Sequence, residues 1–351
     1  MNTQWLLKTY GDPLKAVRKF IRAVWQEARL DGMLAPLNES AHQRETEAMR
    51  VKLRLIADPD QLEQVNPFKP LMTVNVASLI PKLIEDHPEA RLGAMLRPCE
   101  MRALIEVSKY DTFELDWNAP AGGQLLTICI DCLGTFPADE YQWWAARKGS
   151  TAGLTQEALQ FARQGGIVPY RYRSACQMCL SPKARGADLN IGVLGLPVRQ
   201  YLLVHARDEG TAERLRLETI ADGEATSALV TQRARLIAKL IERHSRARER
   251  VTASLAGTLP ANLEELMSLF AQCGVCQACL KVCPIWAVDV PQRGPNGKYG
   301  RDDLVHWLAA CAGCGMCEQA CPKHLPLSVI FAHLRDRLIS AQPAPYVIRN
   351  T

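Results

Sequence analysis

The sequence predicts a mixed α/β domain with a partly parallel sheet, followed by a small cysteine-rich domain. Three observations carry this prediction. The chain has 351 residues, more than one ordinary hydrophobic core organises, so two domains are expected. Strand-sized apolar runs alternate with helix-favouring segments over residues 50–205, the pattern of a sheet with helices packed on it. Eight of the 13 cysteines crowd into residues 273–321.

The elements follow in order. Leu14, Val17, Phe20, Ile21, Val24 and Trp25 recur at helical spacing, and Asp31-Gly32 offers a helix stop, because glycine tolerates the left-handed cap conformation. Strands are expected at Lys52–Ile56, Arg91–Leu96, Gln124–Ile130, Leu189–Leu194 and Gln200–His205, each bounded by turn residues. Val76–Glu85 and Glu100–Lys109 read as helices between them. Thr231–Arg250 is a long basic helix with Arg233, Arg235, Lys239, Arg243, Arg246, Arg248 and Arg250. It reads as a solvated connecting helix docked through Leu236, Ile237, Leu240 and Ile241, and a nucleic-acid contact is the lesser alternative. Val251–Asn262, with Gly257 and Pro260, reads as a linker. The expected organisation is therefore an α/β domain over 1–230, a basic helix and linker over 231–262, a cysteine-rich domain over 263–340 and a tail over 341–351.

Composition narrows the function classes. Hydrophobic residues at 48% and charged residues at 23% are globular averages and exclude a disordered or fibrous chain. No apolar run is long enough to span a bilayer. The segment Met1–Asp12 lacks the basic, apolar and small-residue regions of a secretory signal. A cytoplasmic protein is expected, where thiols stay reduced, so 13 cysteines point to metal or cluster ligation rather than disulfides.

Cys273-Gly-Val-Cys276-Gln-Ala-Cys279-Leu-Lys-Val-Cys283-Pro284 is repeated as Cys311-Ala-Gly-Cys314-Gly-Met-Cys317-Glu-Gln-Ala-Cys321-Pro322. Both copies obey C-x2-C-x2-C-x3-C-P. In this spacing three thiolates hold one 4Fe-4S cubane and the fourth crosses to the other. A ferredoxin-like dicluster domain follows, with one cluster on Cys273, Cys276, Cys279 and Cys321 and a second on Cys311, Cys314, Cys317 and Cys283. Thiolate suits iron and sulfide because both are soft. Two zinc sites are the alternative, but they seldom use this rhythm. Crossed ligands place the cubanes close together, which makes the domain an electron relay.

Five cysteines remain. Cys99 and Cys132 follow the runs ending at Leu96 and Ile130. If those strands are parallel, both thiols share the carboxyl rim where open sheets place ligands. Cys176-Gln-Met-Cys179 lies in a loop-like segment before Leu189, and Cys129 sits inside an apolar strand as a small core residue. Cys99, Cys132, Cys176 and Cys179 could converge on a third 4Fe-4S cluster. A redox-active C-x-x-C pair and inert core thiols stay open beside it.

At Leu96–Leu104, Ile130–Thr135, Arg173–Cys179 and Ala187–Gly192 the sequence resembles the beta subunits of the coenzyme F-420 hydrogenase and dehydrogenase family, in particular those linked to formate dehydrogenase. The resemblance implies an iron-sulfur flavoprotein in which Cys99, Cys132, Cys176 and Cys179 ligate a cluster beside FAD. Family members that carry a dicluster segment tend to place it before the flavin domain, whereas here it follows. No G-x-G-x-x-G fingerprint is present and Gly192-Val-Leu-Gly195 alone is too weak to replace it. Arg97, Arg102, Arg173 and Lys183 are the candidate pyrophosphate partners near the cysteine loops, although a solvated surface cation is the ordinary reading of each.

The expected function is thus an electron-transferring beta subunit of a formate dehydrogenase or hydrogenase-type complex. It would pass electrons between a catalytic redox subunit and an acceptor, with no nucleic acid and no membrane span. The alternative is a flavin-free wiring and docking subunit of a redox complex such as a heterodisulfide reductase-type assembly. The net charge of +5 falls to about −1 if three cubanes of about −2 each are loaded.

Overall fold

The computed structural model describes residues 3–37, 53–110, 113, 115, 117, 123–147, 151–162, 171–273, 276–288, 290, 294 and 299–341. Its seven strands are β1 Gln4–Lys8, β2 Gly32–Pro36, β3 Leu53–Ile56, β4 Leu92–Leu96, β5 Leu125–Ile130, β6 Leu189–Gly192 and β7 Tyr201–Ala206. They form one sheet in the order β1-β7-β6-β5-β4-β2-β3. The four strands β2, β4, β5 and β6 are parallel, β3 and β7 flank them antiparallel, and β1 pairs antiparallel with β7 at the edge. This is the expected mixed, partly parallel α/β sheet.

Among and just after the strands lie α1 Pro13–Ala28, α2 Ile80–Asp86, α3 Pro98–Val107, α4 Ala138–Arg147, α5 Thr151–Gln160, α6 Ser174–Gln177, α7 Glu209–Arg214 and α8 Leu217–Ile220. The C-terminal part adds α9 Ser227–Ser254, α10 Leu263–Cys273, α11 Ala278–Lys281, α12 Arg301–Ala310, α13 Met316–Gln319 and α14 Leu327–Ala341. Asp12 caps α1 by accepting from the Lys15 amide at 2.9 Å, with Pro13 in the first turn. The buried face is the expected one, through Val17, Phe20, Ile21, Val24 and Trp25. The stop is different. Arg29 itself takes the left-handed cap at φ 51°, and Gly32 instead opens the buried strand β2.

Two apolar clusters cover the two faces of the sheet. One joins α1 residues such as Phe20 and Val24 to Ile128, Ile191 and Val204. The other joins Ala94, Met101 and Leu104 directly to Leu266, Phe270, Trp307 and Phe331 of the cysteine-rich segment. The C-terminal segment therefore shares a core with the α/β part on the α3 side of the sheet. Helix α9 continues through Ser254, so the expected linker from Val251 is helical at its start, and Leu259 within it is buried.

Helix α9 is the strap between the halves. Its inward stripe is Arg233, Ile237, Leu240, His244 and Arg248. Arg233 pairs with Asp131 at 2.6 Å, and Arg248 pairs with Asp336 on α14 at 2.5 Å. The basic helix is thus only partly a solvated face. Two of its arginines are ion-paired in places where the side chains are about nine-tenths covered, at 11% and 10% exposure.

Candidate iron-sulfur sites

The parallel strands end on one rim, and that rim builds the first site. After β4, Pro98 starts α3, with Cys99 in its first turn and Glu100 accepting from the Arg97 amide at 2.7 Å. After β5, the Asp131 carboxylate accepts from the amides of Ala184 (2.7 Å), Val193 (2.8 Å) and Leu194 (2.8 Å), and from Arg233. One carboxylate thereby ties three loops together at the base of Cys132. Gly134, at φ +99°, is required here: a Cβ on it would lie 2.2 Å from the Tyr172 ring. The Arg173 amide donates to the Thr135 carbonyl at 3.0 Å, which brings α6 and its Cys176-Gln-Met-Cys179 turn over the same rim.

Cys99, Cys132, Cys176 and Cys179 consequently line a single cavity, closed by Leu194 and by Leu240 and His244 of α9. The Gly134 amide donates toward Cys132 Sγ at 3.4 Å, and Arg173 Nη2 lies 3.8 Å from Cys176 Sγ. His244 Nδ1 meets the Cys179 carbonyl at 2.6 Å, so that nitrogen carries the proton, because a carbonyl can only accept. Arg173 was expected there only as a pyrophosphate partner, whereas His244 and Arg233 were not predicted as site residues. Their signal lay in the stripe of α9, where Arg233, His244 and Arg248 share the face of Ile237 and Leu240. Cys129 is fully buried in the α3-side core, as expected of a structural thiol.

A second cavity is lined by Cys311, Cys314, Cys317 and the crossing Cys283, with Trp307 and Phe331. The Gly313 amide donates toward Cys311 Sγ at 3.4 Å, the loop-amide arrangement that suits a cubane sulfur. The other cysteine set is marked by electrostatic proximity: Cys279 feels the charges of Cys273, Cys276 and the crossing Cys321. Cys276 is the exposed member of this set and Cys321 is buried. Residues 274 and 275, inside its motif, lie outside the described residues.

Burial raises these thiols. It pushes Cys132 and Cys283 up to about 12 and Cys279 up to about 11, and it raises Cys99, Cys179, Cys314 and Cys317 as well. Burial thus disfavours the thiolate at these seven cysteines, and bound iron is what would make it stable there. Among the described residues, no three His, Cys, Asp or Glu side chains converge tightly enough for a single ion.

Three of the four pyrophosphate candidates are turned to the protein, whereas Lys183 is exposed. Arg97 donates to the Lys69 and Leu71 carbonyls at 3.0 and 2.8 Å and pairs with Glu100. Arg102 donates to the Ala312 and Ser181 carbonyls at 2.8 and 3.0 Å. Arg173 is 6% exposed, which corrects its reading as a surface arginine. The Gly192–Gly195 turn aims its Val193 and Leu194 amides at Asp131, and a Cβ on Gly192 would strike Arg233 at 2.6 Å. Arg97, Arg102 and the Gly192–Gly195 turn are therefore occupied within the protein itself.

Comparison with known proteins agrees with the C-terminal reading. Residues 272–325 match the family model of the 4Fe-4S dicluster domain, so the chain is a mixed α/β fold carrying a C-terminal dicluster ferredoxin domain. The acetyl-CoA decarbonylase/synthase complex subunit alpha 1 of Methanosarcina mazei is 31% identical over 80 residues, covering 22% of this chain and 10% of that protein. The Methanosarcina barkeri subunit of the same name is 32% identical over 82 residues with the same coverage. The chain spans about a tenth of the length of these curated relatives. Among solved structures, a chain of the F420-reducing [NiFe] hydrogenase complex from Methanosarcina barkeri aligns with a TM-score of 0.47 and 13% identity, covering 71% of this chain and 91% of that chain. Among the described residues, no helix is long and apolar enough to cross a membrane.

Proposed function

We propose that this protein is an iron-sulfur electron-transfer subunit of a redox complex, carrying three 4Fe-4S clusters. Two belong to the dicluster domain with crossed ligands: Cys273, Cys276, Cys279 and Cys321 for one, and Cys311, Cys314, Cys317 and Cys283 for the other. The third is held by Cys99, Cys132, Cys176 and Cys179. The observation that carries the reading is the convergence of these last four thiols, from three separate chain segments, on one cavity at the carboxyl rim of the sheet. A redox-active C-x-x-C pair would not recruit Cys99 and Cys132.

When bound, the clusters supply one-electron carriers. The chain's own part is to hold them dry, to aim amides and guanidinium groups at their sulfurs, and to expose one end near Cys276. The chemistry on formate or dihydrogen would belong to a catalytic partner of formate dehydrogenase or hydrogenase type. Because Arg97, Arg102 and the Gly192–Gly195 turn are engaged within the protein, we favour the flavin-free form of this reading, a wiring subunit that docks the relay.

Anaerobic purification with the native partner tests the function. Addition of the partner's substrate should reduce the clusters of this chain within turnover, seen by paramagnetic resonance. Clusters that stay oxidised beside an active partner would refute it.

A further inference from the structure

Arg173 occupies an unusual position. Its guanidinium is buried, yet among the described residues no carboxylate lies within ion-pair distance of it. Nε donates to Thr135 Oγ1 at 2.8 Å, Nη1 faces Met316 Sδ at 3.4 Å and Gln319 Oε1 at 3.5 Å, and Nη2 faces Met72 Sδ at 3.3 Å and Cys176 Sγ at 3.8 Å. Thioethers are weak acceptors, and they do not compensate a buried cation. Glu100, the carboxylate whose charge reaches it, is already paired with Arg97. The cysteines whose charges reach Arg173 belong to two sites: Cys176, Cys99 and Cys132 line the rim cavity with it, and Cys314 lines both that cavity and the second one.

Cys314 is the hinge of the geometry, because it lines both the rim cavity and the second cavity. The α/β part approaches it closely. A Cβ on Gly315 would lie 2.5 Å from Ala175 Cβ, Arg102 donates to the neighbouring Ala312 carbonyl, and Ser174 bonds Glu318. The Cys273, Cys276, Cys279 and Cys321 set has no such shared wall with the rim cavity among the described residues.

We propose that Arg173 is the counter-charge common to the third cluster and the Cys311, Cys314, Cys317 and Cys283 cluster, and that this junction is where electrons cross between the α/β part and the relay. The inference rests on the three-cluster reading above. A positive charge between two cubanes stabilises the reduced, more negative form of each, so it raises both potentials. One electron passes from cubane to cubane, and no bond is made or broken. Arg173 acts through the clusters as a positioning and tuning residue. The resulting order is third cluster, Cys314 cluster, Cys276 cluster, exterior.

The test is a potentiometric titration, followed by paramagnetic resonance, of the full chain reconstituted anaerobically as wild type, Arg173→Gln and Arg173→Lys. In Arg173→Gln the potentials of the third and Cys314 clusters should move negative together while the Cys276 cluster stays fixed, and Arg173→Lys should lie nearer wild type. Three potentials unmoved, or all three moved alike, at unchanged iron content, would overturn the proposal. A second measurement does not depend on how Arg173→Gln folds. In the partly reduced chain the third cluster's signal should be broadened by its neighbour, and Cys283→Ser should abolish that broadening while Cys321→Ser preserves it. The reverse pattern also overturns it. Failure of the underlying reading looks different: wild type would hold about eight irons instead of about twelve.

Discussion

Asp131→Asn should be among the most damaging single-atom changes in the α/β part. The carboxylate is fully buried and accepts four hydrogen bonds, one on Oδ1 from Ala184 and three on Oδ2 from Val193, Leu194 and Arg233. An asparagine can keep its oxygen toward the group of three, but its NH2 then faces the Ala184 amide, leaving a buried donor unsatisfied at about 1–3 kcal/mol. Arg233, 11% exposed, loses its carboxylate partner, and breaking a buried pair from one side costs about 3–5 kcal/mol. The two costs overlap, so a loss of about 4 kcal/mol is expected. Anaerobic urea denaturation of the cluster-loaded protein, followed by circular dichroism, measures it as a fall in midpoint at constant slope. Because Asp131 ties the loops around Cys132, visible absorbance should report loss of the third cluster before global unfolding. The double variant Asp131→Asn, Arg233→Met should cost less than the sum of the singles, since the orphaned charge is gone. A single-variant effect within about 0.5 kcal/mol of zero, or strict additivity, would refute the reasoning.

Other expectations follow from the same geometry. Cys321→Ser should deplete the cluster of Cys273, Cys276 and Cys279, and Cys283→Ser that of Cys311, Cys314 and Cys317, as read by paramagnetic resonance; loss of the cluster in each cysteine's own motif would refute the crossing. Gly315→Ala combines φ +70° with a Cβ 2.5 Å from Ala175, and should cost about 1–3 kcal/mol and raise amide exchange across Ser174–Gln177; unchanged exchange there would show that the contact does not hold α6. Acid precipitation of the reconstituted protein should release no stoichiometric flavin. One flavin per chain would restore the flavoprotein form of the reading.

Much of the fold was legible because its signals are local. Five of the seven strands were predicted within about two residues of their ends, since apolar runs between Gly, Pro and Asp punctuate a sheet wherever they fall. β2 was missed because Gly32 and Pro36 read as loop residues, whereas Gly32 sits in a strand buried on both faces with the Leu55 side chain close against it. β1, from Gln4 to Lys8, was missed as well. The cysteine motifs declared themselves by spacing. That Cys99 and Cys132 share a rim required the parallel pairing of β4 with β5, which no window of sequence contains. The inward charges were least visible. Arg233, Arg173 and Arg102 are set by crossings of α9, α6 and α3 with distant loops, and in sequence they are indistinguishable from solvated arginines.

Iron and acid-labile sulfide per chain, measured after anaerobic reconstitution together with the Mössbauer spectrum, test the central claim most directly. Three cubanes predict about twelve irons, all in 4Fe-4S sites, falling to about eight when Cys99 and Cys176 are both replaced by serine. About eight irons in the unaltered chain, unchanged by those substitutions, would contradict the account.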